Sequence, residues 1–418
     1  MNILFVTENF PPERNASASR VYERACYWVR WGHQVTIVTC APNFPEGKVY
    51  EGYENRWYQV DMVSGIRVVR VKTFVAKNEG RVRRSLDFLS FMVSGFVAGL
   101  FQKRPHVVVA TSPQFFAAVG GWALARARGL PFVFELSDLW PASISAVGAI
   151  RSDAILRLLE RLEIFLYRQS AKIVALSPAF KEDLVKRGIE SAKVSVVMNG
   201  VDLPRFEPRP PAPHLMRQLG LEGCFVIGYL GTHGMAHALH RVLDAADLLQ
   251  DLAEVRFLFV GVGADRQSLE VEASRRGLRN VLFVPGQPKE RMPEYWSVCD
   301  LALVHLKDSP VFAGVIPSKI FEAMAMACPI VLAAPEGEAT AILRQTGCGL
   351  VVSPENPAEL AAAIRRLCSN REKVADLARA ARAAAPLYSR ERQASEMMGL
   401  LNRLVPANPG VAEIRSIP

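Results

Sequence analysis

Short apolar runs alternate with amphipathic stretches along the chain. The runs are rich in β-branched residues and apolar at successive positions, which is typical of strands covered on both faces. In the first half we predict strands over 2–7, 34–40, 66–71, 106–111, 132–136, 172–177 and 194–199. In the second half we predict strands over 225–231, 255–261, 281–285, 301–306, 330–334 and 349–352. The helical patterns between them indicate parallel α/β layers.

A proline-rich segment separates the two sets of strands. Residues 203–214 contain five prolines, which is typical of a linker. We therefore predict two doubly wound, Rossmann-like α/β domains over 1–205 and 206–385, facing a central cleft at the carboxyl ends of their strands. The last helical pattern follows a break at Pro386, and we expect the segment 386–418 to cross back to the first domain.

The charge balance differs between the two halves. The chain of 418 residues has a net charge of +9, and residues 1–205 carry the whole excess, with 27 Lys and Arg against 18 Asp and Glu. A basic surface suits nucleic acid, an anionic membrane or phosphorylated substrates. Because no RNA-recognition motif is found, we predict no nucleic acid partner, and a non-catalytic basic binding protein is the alternative from another class.

The cysteines and the amino terminus indicate the compartment. The seven cysteines are scattered and form no CxxC pair, which favours reduced thiols in the cytoplasm. The first residues, MNILFVTENF, lack the regions of a signal peptide and predict a strand that leads into a loop.

A basic and apolar segment lies in the first half. Residues 81–104 place three arginines before the apolar stretch 88–101 and two basic residues after it. A helix over that stretch is about 21 Å long, too short for a hydrocarbon core of about 30 Å. The segment is either a helix buried on the first sheet or a part of the protein that rests on an anionic membrane.

The loop GTHGMAHALH, residues 231–240, follows the first strand of the second set. Gly231, Thr232 and Gly234 precede a helical pattern, so the loop could form a nest of backbone N–H groups for a diphosphate. The spacing is not that of the dinucleotide motif G-x-G-x-x-G, and a dinucleotide site is not predicted.

Three histidines in this loop have the spacing of metal ligands. However, His233, His237 and His240 lack the glutamate of H-E-x-x-H and an evident fourth ligand. We therefore predict no metal and expect histidines that contact phosphate, while exposed positions on a helix remain the alternative.

The segment VIPSKIFEAMAMACPIV, residues 315–331, places two charges in an apolar helix. Pro317 is predicted at the first helical position, where its missing N–H is harmless. Lys319 and Glu322 then share the first turn. They form either a surface ion pair, or a site in which Lys319 helps to hold a phosphate while Glu322 accepts hydrogen bonds from hydroxyls.

Two loops of the first half carry further candidates. FELSDLWPASI places Glu135 and Asp138 at the end of a predicted strand, where buried carboxylates need partners, which favours a role in the cleft. The alternative for Asp138 is a cap of the next turn. The loop ENFPPERNASASR ends at a predicted N-cap, Ser17 or Ser19.

These segments together resemble bacterial glycosyltransferases of family 4, which have the GT-B fold, over essentially the whole chain. The resemblance is nearest to a subgroup from lipopolysaccharide O-antigen and capsule gene clusters that includes N-acetyl-L-fucosamine transferases. The matching segments are ENFPPERNASASR, TCAPNFPEGKVYEGY, ATSPQFFAAVGG, FELSDLWPASI, NGVDLPRF, GTHGMAHAL, ALVHLK and VIPSKIFEAMAM.

The resemblance implies a retaining, metal-independent transferase that uses a UDP-sugar and no cofactor. It implies a glycan or polyprenyl-diphosphate-linked acceptor at the cytoplasmic face of the inner membrane, with the basic first domain on the membrane surface. Expected donor contacts are Gly231, Thr232, His233, Gly234, His237, Gly286, Gln287, Pro317, Ser318, Lys319 and Glu322. Expected catalytic contributors are Asp138, His237, Lys319 and Glu322, and expected acceptor-side residues are Asn15, Ser17, Arg20 and Glu135.

The sequence departs from the family pattern at two places. Many members have two glutamates eight positions apart, and the first position is Gly314 here, which would suit a deoxy-amino sugar. The usual Arg and Lys of the phosphate loop are also missing, so His237 and Lys319 are expected to supply the positive charge. A sugar-nucleotide epimerase of the same fold is the second enzymatic alternative.

Overall fold

The computed structural model describes residues 1–13, 15–44, 46–75, 81–112, 115–141 and 152–405. The described residues form two sheets with helices on both faces of each, which confirms the predicted α/β class with two Rossmann-like domains. Parts of five segments considered above lie outside the described residues, namely 14, 45, 113–114, 142–144 and 406–418.

The first domain contains an eight-stranded sheet in the order β3-β4-β2-β1-β5-β6-β7-β8. Its strands are β1 (Asn2–Val6), β2 (Gln34–Cys40), β3 (Tyr58–Val63), β4 (Ile66–Val71), β5 (Val107–Thr111), β6 (Phe132–Leu136), β7 (Lys172–Ala175) and β8 (Val194–Val196). Its helices are α1 (Ala16–Arg30), α2 (Arg81–Leu100), α3 (Phe115–Arg128), α4 (Asp153–Gln169) and α5 (Pro178–Lys186). Helices α2 to α5 pack on one face of the sheet and α1 packs on the other.

Strand β3 was not predicted from the sequence. It lies antiparallel to β4 at the edge of the sheet, and a two-residue turn at Ser64 and Gly65 joins the two strands. The φ angles of 51° and 78° at these residues are those of a hairpin turn that follows the natural twist of the strands. Because β3 is partly exposed on an edge, it has no continuous apolar run that would mark it as a strand.

The second domain contains a six-stranded parallel sheet in the order β11-β10-β9-β12-β13-β14. Its strands are β9 (Phe225–Leu230), β10 (Val255–Gly261), β11 (Val281–Pro285), β12 (Leu301–His305), β13 (Ile330–Ala333) and β14 (Gly349–Val352). Its helices are α6 (Pro213–Leu219), α7 (Leu239–Asp247), α8 (Arg266–Arg275), α9 (Met292–Ser297), α10 (Lys319–Ala325), α11 (Glu338–Thr346), α12 (Pro357–Cys368) and α13 (Arg371–Ala384).

The strand order reverses once in each sheet. In the first sheet the reversal lies between β1 and β5, and in the second it lies between β9 and β12. The loops that leave the carboxyl ends of these strands diverge, which opens a crevice where such sheets bind ligands. The loop after β9 and the end of β12 therefore mark the expected site in the second domain.

The last described helix, α14 (Arg390–Leu404), returns to the first domain. Its buried Met397 and Leu401 belong to the same hydrophobic core as Trp28 of α1. The Trp28 Nε1 donates a hydrogen bond to the carbonyl oxygen of Ala394 at 3.0 Å. This packing confirms the predicted crossing.

Candidate active site

The loop after β9 is held down by backbone hydrogen bonds. The amide of Gly231 donates to the carbonyl of Val260 at 2.9 Å, and that of His233 donates to Val262 at 2.8 Å. The amide of His237 bonds within its own loop at 2.9 Å. These three amides are used within the protein, so a nest for a diphosphate stays a prediction for the other amides of the loop.

Glycines allow the loops after β9 and β10 to touch. A Cβ atom at Gly261 would lie 1.8 Å from the carbonyl oxygen of Gly231, and one at Gly263 would lie 2.1 Å from that of His233. Gly234 then begins a 3₁₀ turn over 235–237. The close contact fixes the position of the loop over the sheet.

The ring of Tyr229, near the end of β9, organises the polar side chains. The Nζ of Lys319 lies 3.5 Å from the ring centroid, and the rings of His233 and His237 lie at 5.7 and 6.0 Å. The tyrosine hydroxyl donates to the carbonyl oxygen of Thr232 at 2.8 Å, while the Thr232 side chain points into an exposed part of the loop. Three predicted donor residues therefore meet at one aromatic ring that the sequence analysis did not select.

Lys319 is buried without a polar partner. Its side chain is 7% exposed, and its Nζ has no hydrogen-bond partner among the described residues. It lies over Gly231, where a Cβ atom would come within 3.2 Å of Nζ. Burial lowers the pKa of Lys319 from 10.5 to about 7, although the charge of Glu322 opposes the shift. A charged ammonium buried in this way costs folding free energy unless an anion compensates its charge.

His233 is fully buried among aromatic rings. It contacts Tyr229, Phe259 and Phe283, and neither ring nitrogen has a hydrogen-bond partner in the described part of the chain. Burial, with the charges of Lys319 and Arg266, lowers its pKa to about 3. An exposed position on a helix is therefore wrong for His233, which is a neutral, enclosed imidazole.

His237 and His305 bond to each other across the reversal of strand order. The Nδ1 of His237 donates to the carbonyl oxygen of His305 at 3.2 Å, and the Nδ1 of His305 donates to that of His237 at 2.8 Å. Burial lowers the pKa of His237 to about 3 and that of His305 to about 4. His237 is thus neutral at pH 7 in the ligand-free protein, and its positive charge beside a bound diphosphate stays a prediction.

The third histidine of the loop, His240, contacts a carboxylate of α8. The Nδ1 of His240 lies 2.6 Å from the Oε2 of Glu272. Within the described ranges, no three His, Cys, Asp or Glu side chains are grouped so that they could share a metal ion.

Glu322 does not pair with Lys319. Its Oε2 accepts a hydrogen bond from the Nε1 of Trp296 at 3.3 Å, and its Oε1 lies 3.4 Å from the Nζ of Lys289. The alternative of a surface ion pair with Lys319 is therefore wrong. Lys289 and Trp296 are further site residues that sequence reasoning missed, since neither belongs to a motif.

Helix α10 begins two residues later than predicted. Ser318 is its N-cap, and the preceding turn closes through a bond from the amide of Ile320 to the carbonyl of Pro317 at 3.1 Å. Pro317 therefore lies before the helix, in a turn of 3₁₀ type. Both Pro317 and Ser318 are half-buried beside Lys319 in the chain.

The loop after β11 lies beside the loop after β10. A Cβ atom at Gly286 would come within 2.8 Å of the Cγ1 of Val262, so the two loops touch. The Gln287 side chain is bonded within its own segment, to the carbonyl of Pro285 at 3.0 Å and to Arg291 at 3.4 Å. These residues support the neighbouring loop.

Glu135 lies beneath the edge of the first sheet. It is fully buried, 2.6 Å from Arg24 and 3.4 Å from Arg20. Burial alone would raise its pKa, but the two arginines outweigh that effect and lower it to about 2. The predicted role at the acceptor side is wrong for Glu135, because its carboxylate is enclosed with these arginines.

Arg20 joins this buried pair to the carboxyl edge of the sheet. Its Nη2 donates to the hydroxyls of Thr111, at 3.2 Å, and Ser137. Asp138 follows and is half-buried, with its amide 3.3 Å from the hydroxyl of Ser112. Arg20 is 3% exposed and therefore enclosed like Glu135, whereas Asp138 lies half-buried at the edge where the strand order predicts a crevice.

The N-cap of α1 is Asn15, and the predictions of Ser17 and Ser19 are wrong. The Asn15 backbone is extended, and its Oδ1 accepts from the amide of Ala18 at 2.8 Å. Ser17 lies inside the first turn, where its hydroxyl has no hydrogen-bond partner among the described residues. Asn15 also donates to Asn9 at 3.0 Å, so it is tied to the loop after β1.

Gly314 lies where the two domains touch. A Cβ atom there would come within 3.2 Å of both Ala179 and Phe180 of the first domain. The hydroxyl of Ser177 donates to the Gly314 carbonyl at 2.8 Å, and the amide of Ala179 donates to the carboxylate of Glu338. A side chain at position 314 would press on Ala179 and Phe180, so the contact between the domains favours glycine here.

Two family models match the chain. Residues 15–200 match the glycosyl transferase 4-like domain, and residues 214–384 match the glycosyl transferases group 1 model. Together they account for more than half of the sequence. The assignment to the subgroup with N-acetyl-L-fucosamine transferases remains a prediction.

Similar proteins are found among curated sequences and solved structures. A protein of Escherichia coli strain K12 named as the colanic acid biosynthesis glycosyl transferase WcaI is 27% identical over 376 residues, 88% of this chain and 92% of its own. WbjE of Pseudomonas aeruginosa, named as a glycosyltransferase, is 27% identical over 287 residues, 67% of this chain and 70% of its own. Anabaena HepE, crystallised with UDP-glucose, has a TM-score of 0.74 at 19% identity and covers 97% of this chain and 100% of its own, which shows the shared fold. With its two matched domains, the chain belongs to the group 1 glycosyltransferases, which here have the two-domain GT-B architecture.

Proposed function

We propose that the protein moves a sugar from a UDP-sugar to a glycan or polyprenyl-diphosphate-linked acceptor, with retention of configuration at the sugar. The pathway would be lipopolysaccharide O-antigen or capsule synthesis. The observation that carries the proposal is the buried, unpartnered amino group of Lys319 at the reversal of strand order in the second sheet. A diphosphate is the anion that would stabilise its charged form.

The similar proteins support this choice of substrates. HepE of Anabaena was crystallised with UDP, with UDP and glucose, and with UDP-glucose. WcaI is named for colanic acid biosynthesis, which is the assembly of a bacterial polysaccharide. The ribose hydroxyls would donate to Glu322, whose carboxylate is already oriented by Trp296.

Lys319 would act mainly as the bond to the leaving group breaks. The bond between the sugar C1 and the diphosphate oxygen breaks, the acceptor oxygen bonds to C1 on the same face, and the acceptor proton leaves with UDP. Negative charge grows on the diphosphate during this step, so a fixed cation beside it lowers the barrier. Diphosphate charge would also raise the pKa values of His233 and His237, which are neutral in the free protein.

Residues of the first domain would bind the acceptor. Asp138 lies half-buried at the carboxyl edge of the first sheet, and the buried Arg20 would hold this edge in place through Thr111 and Ser137. Asp138 would orient the reacting sugar or acceptor hydroxyl without forming a covalent bond. Gly314 provides no carboxylate for sugar hydroxyls, which favours a donor with fewer of them, such as a deoxy-amino sugar.

The outer face of α2 supports contact with a membrane surface. The alternative of a helix buried on the first sheet is correct for the inner face of α2, where Phe91 and Ala98 pack in the core. Its outer face leaves a row of large apolar side chains exposed at helical spacing. These are Leu86, Leu89, Val93, Val97, Leu100 and Phe101. The Phe101 side chain is 79% exposed, and this combination with basic ends is typical of segments that lie on a bilayer.

Basic side chains stand at both ends of this face. Arg83 precedes the apolar row, and Lys103 and Arg104 follow it, all exposed; the side chains of Arg81 and Arg84 lie outside the described part. No helix in the described ranges has the length and apolar character needed to span a bilayer. Peripheral attachment at the cytoplasmic face of the inner membrane is therefore part of the proposal.

A product assay tests the proposed function. The protein would be incubated with a panel of UDP-sugars, with and without polyprenyl-diphosphate-linked sugars, and products would be identified by mass spectrometry. Transfer to the lipid-linked sugar supports the proposal. Conversion of the donor without an acceptor would indicate the epimerase instead, and failure to bind or consume any UDP-sugar would contradict both.

A further inference from the structure

One lysine lies between carboxylates of the two domains. Lys289 begins the turn after β11, and its Nζ lies 3.4 Å from the Oε1 of Glu322 in α10. The same Nζ lies 3.4 Å from the Oε1 of Glu23 in α1 of the first domain. The Lys289 side chain is 24% exposed, so this bridge is largely shielded from solvent.

Glu23 is held firmly without Lys289. Arg205 Nη1 donates to its Oε1 at 2.6 Å, and Arg390 Nε donates to its Oε2 at 2.9 Å. Burial would raise the pKa of Glu23, but these cations, Lys289 among them, lower it to about 2. Arg205 lies on the connection between the domains and Arg390 begins the crossing helix, so Glu23 ties both connecting segments to α1.

Lys289 is shared rather than bound to one partner. A charge-assisted N–H···O bond is about 2.7–2.9 Å long, and both contacts of Lys289 exceed that length. The ammonium therefore lies at the same distance from Glu23 and from Glu322 and forms a short bond with neither. The Oε1 of Glu322 retains lone pairs that could accept ribose hydroxyls.

We propose that Lys289 is a positioning residue that couples the donor-binding carboxylate of Glu322 to the arrangement of the two domains through Glu23. The inference rests on the proposed function, which assigns Glu322 to the ribose of the donor. If the domains separate, or if Glu23 loses its charge, the ammonium moves onto Glu322 and occupies the oxygen that the ribose needs. Donor affinity then depends on a residue of the first domain.

A double-mutant cycle tests this coupling on the full chain. Calorimetry would measure the Kd of UDP for the unaltered protein, Glu23→Gln, Lys289→Met and the double variant. We expect Glu23→Gln to raise the Kd about three-fold or more when Lys289 is present, because contacting residues couple at that scale. In the Lys289→Met background the same change should leave the Kd within about two-fold, as expected for uncoupled sites. Lys289→Arg should keep the dependence on Glu23.

The controls separate the possible results. Glu290→Gln removes a charge from the exposed residue next to Lys289. It should change neither the Kd of UDP nor the dependence of that Kd on Glu23. Equal effects of Glu23→Gln in both backgrounds, or no effect in either, would overturn the coupling while the donor site stands. Absence of UDP binding to the unaltered protein would instead overturn the proposed function, and this inference with it.

A second measurement applies if Glu23→Gln does not fold. Small-angle scattering would follow the radius of gyration as UDP is added to the unaltered protein, Lys289→Arg and Lys289→Met. UDP should change the radius in the first two proteins and leave that of Lys289→Met unchanged. The same response in all three would overturn the proposal.

Discussion

The Nζ of Lys319 lies 3.5 Å from the centroid of the Tyr229 ring, and no described polar atom accepts a hydrogen bond from it. The negative face of an aromatic ring attracts a cation, but it replaces only part of the lost hydration. Folding therefore stabilises the neutral amine, whereas an arriving anion would stabilise the ammonium.

The stability of the protein should depend on pH through Lys319. Its pKa falls from 10.5 in the unfolded chain to about 7 in the fold, so the unfolded state binds more protons between these values. The free energy of unfolding should then rise with pH from about 7 to about 10.5 by a few kcal/mol. Urea unfolding of the unaltered protein and of Lys319→Met across this range measures the effect, and parallel curves would contradict it.

The stability of the protein at low pH should depend on the buried His233. Burial lowers the pKa of His233 to about 3, against 6.5 in the unfolded chain, so stability should fall as pH drops from 6.5 towards 3. His233→Phe removes the titrating group and suits the surrounding aromatic rings. The variant should lose less stability over this range in thermal unfolding, and an unchanged acid response would show that other groups are responsible.

Glu322→Gln should weaken UDP binding. The change removes the negative charge that accepts the ribose hydroxyls, which we expect to cost about 1–3 kcal/mol of binding free energy. Calorimetry with UDP gives the value. Glu294→Gln, a nearby carboxylate that instead contacts Arg291 at 3.2 Å, is the matched control. Unchanged affinity in a folded Glu322→Gln would remove this residue from the donor site.

The membrane face of α2 should bind anionic bilayers. Each basic residue near such a surface contributes roughly 1 kcal/mol, screened by salt. The protein should sediment with anionic vesicles at low salt and be released at high salt. Replacing Arg83, Lys103 and Arg104 by Glu should reduce binding, whereas the same change at Arg217, Arg275 and Arg279 of the second domain should not.

Two outcomes would contradict the membrane proposal. Equal sedimentation with neutral and anionic vesicles would show that charge is not involved. Binding to neither would leave the basic first domain to another role.

Most strands could be predicted from the sequence, because strands covered on both faces are apolar at nearly every position. The run 132–136, for example, is buried throughout in β6 and has Glu135 as its one charged residue. Strand β3 could not be predicted in this way, since its edge position leaves several residues exposed. The cap of α1 was placed at a serine because the sequence offers several capping residues, and only the extended backbone at Asn15 decides between them.

The parts of the candidate site that could be predicted are those whose residues lie together in one short segment of the sequence. The loop 231–240 and the pair Lys319 and Glu322 were selected because each follows a strand or begins a helix. Tyr229 and Lys289 were missed because their roles arise from contacts between distant segments. The neutral state of His237 was also missed, because a sequence does not show how deeply a loop is buried.

We propose that Lys319 stabilises the departing diphosphate in place of a metal ion. The most direct test of this role is the rate of sugar transfer from a UDP-sugar by the unaltered protein and by Lys319→Met, each with and without EDTA. We expect a loss of about 100-fold or more in the variant, the scale of removing one charge-stabilising group, with UDP affinity reduced far less. EDTA should leave the unaltered rate unchanged. Near-normal transfer by Lys319→Met, or strong inhibition of the unaltered protein by EDTA, would contradict the claim.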